Sequence, residues 1–184
     1  MQIKQKNFNV RLIISLFVDT IQIYKMKKLV TLFLFFAVLA VNAQTKMPDV
    51  SISDIDGKKI SIKNDFNEKD KIYVFSFWAT WCTPCIAELD EINEVKEEWK
   101  KELSIDFIAV ATDDSRTQKR IKPLVNGKGW TYKILLDSNQ DLKRALSIVN
   151  IPYTVVVKNG EIVHIQNGYV PGSENELYTK LKSL

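Results

Sequence analysis

Phe77-Trp78-Ala79-Thr80-Trp81-Cys82-Thr83-Pro84-Cys85 ends an apolar run in an aromatic turn and opens a charged segment of helical period, and its two cysteines are the only ones in the 184-residue chain. Two cysteines separated by two residues can close a disulfide within one helical turn. Placed between a strand and a helix, Cys82 falls at the N-cap. There the unpaired N–H groups of Thr83 and Cys85 and the positive end of the helix dipole favour a thiolate over a thiol. Pro84 donates no N–H and fits the first turn without breaking it. An isolated thiol with a pKa near ~8.5 is only about 3% ionised at pH 7, and each unit by which the site lowers that value raises the thiolate fraction nearly tenfold at first. Cys82 is therefore the candidate nucleophile. Cys85, one turn further in and facing the packed side, should keep its proton until a mixed disulfide on Cys82 needs resolving.

A Cys-x-x-Cys pair can also be half of a zinc site. A closed site needs four ligands, however, and the only other soft donor is His164, the single histidine of the chain, which argues against a metal. A purely structural disulfide is a weaker reading still, because so short a loop removes little unfolded-state entropy. Thiol redox chemistry is the reading that the residues favour.

The Trp-Cys-x-Pro-Cys motif resembles the active site of thioredoxin-fold proteins. Together with Ile86-Ala87-Glu88-Leu89, the stretch from Phe77 is similar to the TlpA/ResA-like thiol-disulfide oxidoreductases exported by bacteria, and the similarity runs from about Met47 to the C-terminus. The resemblance implies an α/β thioredoxin-like fold: a central mixed sheet with helices on both faces, an N-terminal β-hairpin, and an inserted strand and helix between the second and third core strands. It implies a protein-disulfide reductase working with the Cys82/Cys85 dithiol and no other cofactor. Protein disulfides would be the substrates, apocytochrome c among them, and a membrane thiol-electron donor would restore the dithiol, the protein acting as a monomer. Cytochrome c maturation and periplasmic thiol repair both fit, whereas Thr83-Pro84 does not settle whether the protein reduces or forms disulfides. In such proteins Trp81, Thr83 and Pro84 border the substrate, and Glu88 stands where a glutamate exchanges a proton with the buried cysteine; the alternative for Glu88 is plain helix surface. Pro152 matches the cis-proline loop that faces the cysteines, with the backbone of Ile151 placed to pair with an extended substrate segment; the alternative is an ordinary trans proline at the head of a strand.

Two positions depart from the pattern. Cytoplasmic-type thioredoxins carry a buried acid six residues before the first cysteine, where this chain has Ser76, so that proton path does not carry over. His164 matches no catalytic position and reads as a half-exposed strand residue. A peroxiredoxin would need Pro-x-x-x-Thr-x-x-Cys, and Phe75 and Ala79 occupy the proline and threonine places. A copper carrier of related fold would need a histidine or methionine beside the cysteines to complete its ligands, which a lone His164 makes a poor alternative.

The net charge of +4 misleads. Six of the 26 Lys and Arg residues but one of the 22 acids lie in residues 1–43, which leaves 20 bases against 21 acids in residues 44–184. Nothing in that balance suggests a nucleic-acid partner. Met26-Lys27-Lys28, the 13-residue apolar run 29–41 and Asn42-Ala43-Gln44 have the three parts of a secretory signal. The run is shorter than the roughly 18 residues that read as a permanent membrane span. Residues 1–43 are thus expected to be an N-terminal extension and signal peptide, with translation starting at Met26, and residues 44–184 the thioredoxin-like domain, released into the periplasm or held on the membrane if the signal stays uncleaved. Outside the cytoplasm disulfides persist, so a lone Cys-x-x-Cys there is a catalytic pair without structural staples.

Residues 48–62 alternate apolar and polar on both sides of Asp56-Gly57, a hairpin signal. Residues 72–77 and 105–111 are apolar runs too short for helices and read as buried strands. Between them a helix over 83–101 places Ile86, Leu89, Ile92, Val95 and Trp99 on one stripe, with the acids and lysines elsewhere. A helix is expected over 116–125, broken by Gly127 and Gly129, then a strand over 130–136 and a helix over 138–146 capped by Ser138 or Asn139. A strand pair around Asn159-Gly160 and an amphipathic helix over 173–184 complete the pattern. Protein secreted by an exporting host should begin at Gln44, and intact mass measures this; a periplasmic form that keeps residues 1–43 would refute the cleavage site.

Overall fold

The computed structural model describes Lys28 and residues 46–184. By its contacts the chain divides into Met1–Ala43 and Gln44–Leu184; apart from Lys28, the signal segment, and with it the start at Met26, lies outside the described residues. Among the described residues no helix is long and apolar enough to cross a membrane.

Seven strands form one mixed sheet: β1 (Ser51–Asp54), β2 (Lys59–Ser61), β3 (Ile72–Trp78), β4 (Ile105–Ala111), β5 (Lys133–Leu136), β6 (Tyr153–Lys158) and β7 (Glu161–Asn167), in the order β2-β1-β5-β4-β3-β6-β7. β3 pairs in parallel with β4, and β4 with β5, while every other pairing is antiparallel. Within residues 46–184 the helices are α1 (Ile62–Asp65), α2 (Thr83–Glu102), α3 (Ile121–Lys128), α4 (Asp141–Ala145) and α5 (Ser173–Lys182).

β3 lies centrally and all seven of its residues are buried, as a continuous apolar run demands when both faces of a sheet are covered. Successive side chains divide between two cores. Ile72, Val74 and Trp78 join Leu89, Ile92 and Trp99 of α2 with Leu177 and Leu181 of α5. Tyr73, Phe75 and Phe77 join Ile62 of α1 and Leu142 of α4 on the other face. Each such side chain fully buried contributes roughly 1.5–3 kcal/mol, so the register of β3 is strongly fixed. The β1–β2 hairpin turns at Gly57 and joins the sheet through β5. The β6–β7 hairpin turns through Asn159 and Gly160, both at positive φ, as a two-residue type I′ turn requires.

Four local expectations are corrected. Ile62 does not end a strand: Ser61 Oγ accepts the Asn64 N–H at 3.3 Å and the Ser61 N–H donates to Asp65 at 2.7 Å, which caps the start of α1. The helix expected over 116–125 starts only at Ile121, after a 3-10 turn at Gln118–Arg120. The Asp114 carboxylate takes the Arg116 N–H and guanidinium and so holds a turn there, and Pro123 falls in the first helical turn, where its missing N–H costs nothing. α3 then runs through Gly127 and stops at Gly129, φ +65°, where the Trp130 N–H bonds back to the Val125 carbonyl at 3.2 Å and shortens β5 to four residues. Within α2, Lys96 leaves the solvated face: it is buried, donates to the Asn93 carbonyl and side chain, and lies 5.5 Å above the Tyr132 ring.

The fourth correction concerns α4. Neither Ser138 nor Asn139 caps it; buried Asp137 does, accepting the N–H of Leu142 at 3.1 Å and of Lys143 at 2.8 Å. Removing both acceptors leaves two helix N–H groups without partners. Asp137→Ala should therefore cost about 1–3 kcal/mol of stability, read as a lowered urea midpoint with unchanged slope.

Candidate active site

β3 delivers the chain to Trp78, and the next four residues make a tight turn in which the Cys82 N–H donates to the Ala79 carbonyl at 3.0 Å. Cys82 has extended geometry, φ −96° and ψ 93°, and is the N-cap of α2; Pro84 sits in the first turn. The Cys82 carbonyl accepts the Ile86 N–H at 3.1 Å, while the Cys82 side chain accepts no capping bond. Cys82 and Cys85 are joined as a disulfide with Cα atoms 5.3 Å apart. Cys82 keeps 5% of its surface exposed and Cys85 none. Around them Trp81 stands 62% exposed, and Thr83 and Pro84 are exposed too.

Glu88, three residues past Cys85 on α2, is not helix surface. It is 2% exposed, and its two carboxyl oxygens accept the Ser76 hydroxyl and the Thr154 hydroxyl, each at 2.9 Å. Ser76 on β3 and Thr154 on β6 are register partners, so neighbouring strands present two hydroxyls side by side to one carboxyl. Burial pushes the Glu88 carboxyl above its ordinary value, because the anion loses water; the two hydroxyls oppose this by stabilising the charge. A carboxyl from the facing helix thus lies against the Ser76 hydroxyl.

The Ile151–Pro152 bond is cis. Pro152 is buried and its carbonyl accepts the Gly168 N–H at 2.9 Å, which ties the loop to the end of β7. Tyr153 pairs with Phe77, so the proline loop lies beside the end of β3 from which the cysteine turn departs. Half-buried Ile151 packs against the core cluster that contains both cysteines. His164 lies on β7 opposite Val156, half-buried, with burial and Lys180 holding it below the usual histidine value. Among the described residues no group of three His, Cys, Asp or Glu side chains could hold a metal ion.

Thr154 was missed as a site residue, and Ser76 entered only as a departure. A usable signal exists: each is a small hydroxyl residue with apolar or aromatic neighbours on both sides in a strand, and buried hydroxyls need partners.

The Redoxin family model matches residues 42–181. The chain belongs to the Redoxin family. An uncharacterised thioredoxin-like protein from Porphyromonas gingivalis, solved in solution, is 40% identical, with a TM-score of 0.67 over 78% of this chain and 94% of that one. StoA from Bacillus subtilis is 25% identical, with a TM-score of 0.57 over 72% of this chain and 99% of that one. A thiol-disulfide oxidoreductase from Bacteroides fragilis, at 18% identity, shares the fold with a TM-score of 0.61 over 75% of this chain and 98% of its own. No curated protein matches the chain. With its Cys82–Cys85 disulfide, this Redoxin-family chain is a thiol-disulfide oxidoreductase of the thioredoxin superfamily, and its fold is the thioredoxin-like one.

The folded state holds the Glu88 proton more tightly than the unfolded chain does. The stability that neutral Glu88 lends is therefore fully present below the ordinary carboxylate range and is lost as pH rises through the raised value. Glu88→Gln, which cannot ionise, should flatten that part of the profile. Urea midpoints of the oxidised protein from pH 4 to 8 measure it; equal slopes in the two proteins would contradict a buried, upshifted carboxyl.

Proposed function

We propose that the protein is exported and reduces protein disulfides outside the cytoplasm, in cytochrome c maturation or thiol repair. The observation that carries the reading is the asymmetry of the pair. Cys82 stands at the rim on the N-terminus of α2, while Cys85 is fully buried with the Glu88 carboxyl one helical turn beyond it. The reduced Cys82 is the sulfur that the helix N-terminus favours as a thiolate, and it is the one a substrate can reach.

In the forward direction the Cys82 thiolate attacks one sulfur of a substrate disulfide. A mixed disulfide forms and the other substrate sulfur leaves as a thiolate. Cys85 then gives up its proton, with Glu88 as the acceptor, and its thiolate attacks the Cys82 sulfur. The Cys82–Cys85 disulfide forms, the second substrate thiolate leaves, and two electrons have passed to the substrate. A membrane thiol-electron donor returns the pair to the dithiol. Trp81, Thr83 and Pro84 border the substrate, whose extended backbone lies against Ile151 and Pro152. Glu88 suits its part because an upshifted carboxyl has a proton affinity closer to that of a thiol than an ordinary one has. Export rests on Lys27-Lys28, the apolar run 29–41 and Ala43, with membrane attachment following if that segment is retained.

Cys85→Ser should accumulate covalent complexes with substrate proteins that a reducing agent releases, and Cys82→Ser should trap few. Non-reducing gels of the two variants expressed in an exporting host read the difference. Equal trapping by both, or full reductase activity without Cys82, would overturn the roles.

A further inference from the structure

The chain leaving β4 contributes two consecutive polar residues, Thr112 and Asp113, and both are buried. Thr112 donates its N–H at 2.8 Å and its hydroxyl at 3.1 Å to the Trp78 carbonyl. Asp113, 1% exposed, accepts the Thr80 N–H on one carboxyl oxygen at 2.9 Å and the Thr80 hydroxyl on the other at 2.6 Å. The two residues therefore grip the chain on either side of Ala79, whose carbonyl receives the Cys82 N–H. Thr80 is the first central residue of the turn that ends at Cys82, so its position fixes how the N-cap sulfur meets the start of α2. The disulfide carries no charge at that sulfur, and only the reduced protein draws on the N–H groups and dipole of the helix end.

We infer that Asp113 is a positioning residue for the redox pair: by holding Thr80 it aims Cys82 at the helix N-terminus, and so stabilises the dithiol form relative to the disulfide. The effect acts through Thr80, and Asp113 needs no contact with substrate. Its bearing on the attacking thiolate rests on the role proposed for Cys82, whereas its bearing on the dithiol–disulfide ratio does not.

Thr80→Val keeps the N–H bond to Asp113, loses the hydroxyl bond and alters no charge. In glutathione redox buffers its pair should shift toward the disulfide at least threefold, about 14 mV, and the pH midpoint of Cys82 alkylation should rise. Thr80→Ser retains both bonds and should behave as the wild type. On an Asp113→Asn background, Thr80→Val should add less than half of that shift, because the partner has already been altered. A contact with a merely structural role would destabilise oxidised and reduced forms alike and leave the ratio untouched. An unchanged ratio in Thr80→Val, an equal shift in Thr80→Ser, or full additivity with Asp113→Asn would each overturn the inference. Mass spectrometry of the alkylated peptide separates the two claims: label on Cys85 rather than Cys82 would sink the attacking role, while the glutathione ratio still reports on Asp113.

Discussion

The site depends on the burial of β3. A strand covered on both faces must pair every backbone group and match every side chain to a core, so its end is placed as firmly as anything in the molecule. The chain that leaves such a strand inherits that precision. Trp78 is fixed by Thr112 across the parallel ladder, Cys82 follows within one turn, and the helix that starts there is pressed back onto β3 by Leu89, Ile92 and Trp99. The disulfide is thereby mounted at the end of a fully buried strand, with Cys82 at its rim.

The same burial imposes a polar problem. Glu88 faces the sheet and cannot reach water, and its acceptance of Ser76 and Thr154 offsets the desolvation only in part. Stability therefore falls as pH rises through the upshifted value, because the anion forms where water cannot reach it, while the carboxyl remains the acceptor that both buried hydroxyls require. Polar groups that cost stability and persist beside a reactive pair are the expected signature of a working site.

Much of the fold was legible from residues because β3, β4 and α2 each obey a single period. Their apolar runs and stripe depend on burial alone, and the strand limits fell within one residue of those expected for β3 and matched for β4. Prediction failed where side chains compete for backbone groups. Asp114 and Asp137 decide where α3 and α4 begin, and whether an Asp caps a helix or a turn is set by geometry that no period encodes. At the site, Cys82, Cys85 and the rim around Trp81 could be named from the motif. The cradle of Glu88 could not, since Ser76 and Thr154 meet only through strand pairing between distant parts of the chain.

That pairing also ties the site to two loops of unequal length. Ser76 and Glu88 are 12 residues apart in the chain, whereas Glu88 and Thr154 are separated by 66. Closing the longer loop carries about 1.5 kcal/mol more entropic cost than closing the shorter one. The first hydroxyl belongs to the strand–helix unit that bears the cysteines, and the second is supplied by β6 across its pairing with β3. The Glu88 carboxyl thus owes one hydroxyl partner to its own strand–helix neighbourhood and the other to a distant hairpin, so its full set of hydrogen bonds exists only where the whole sheet is closed.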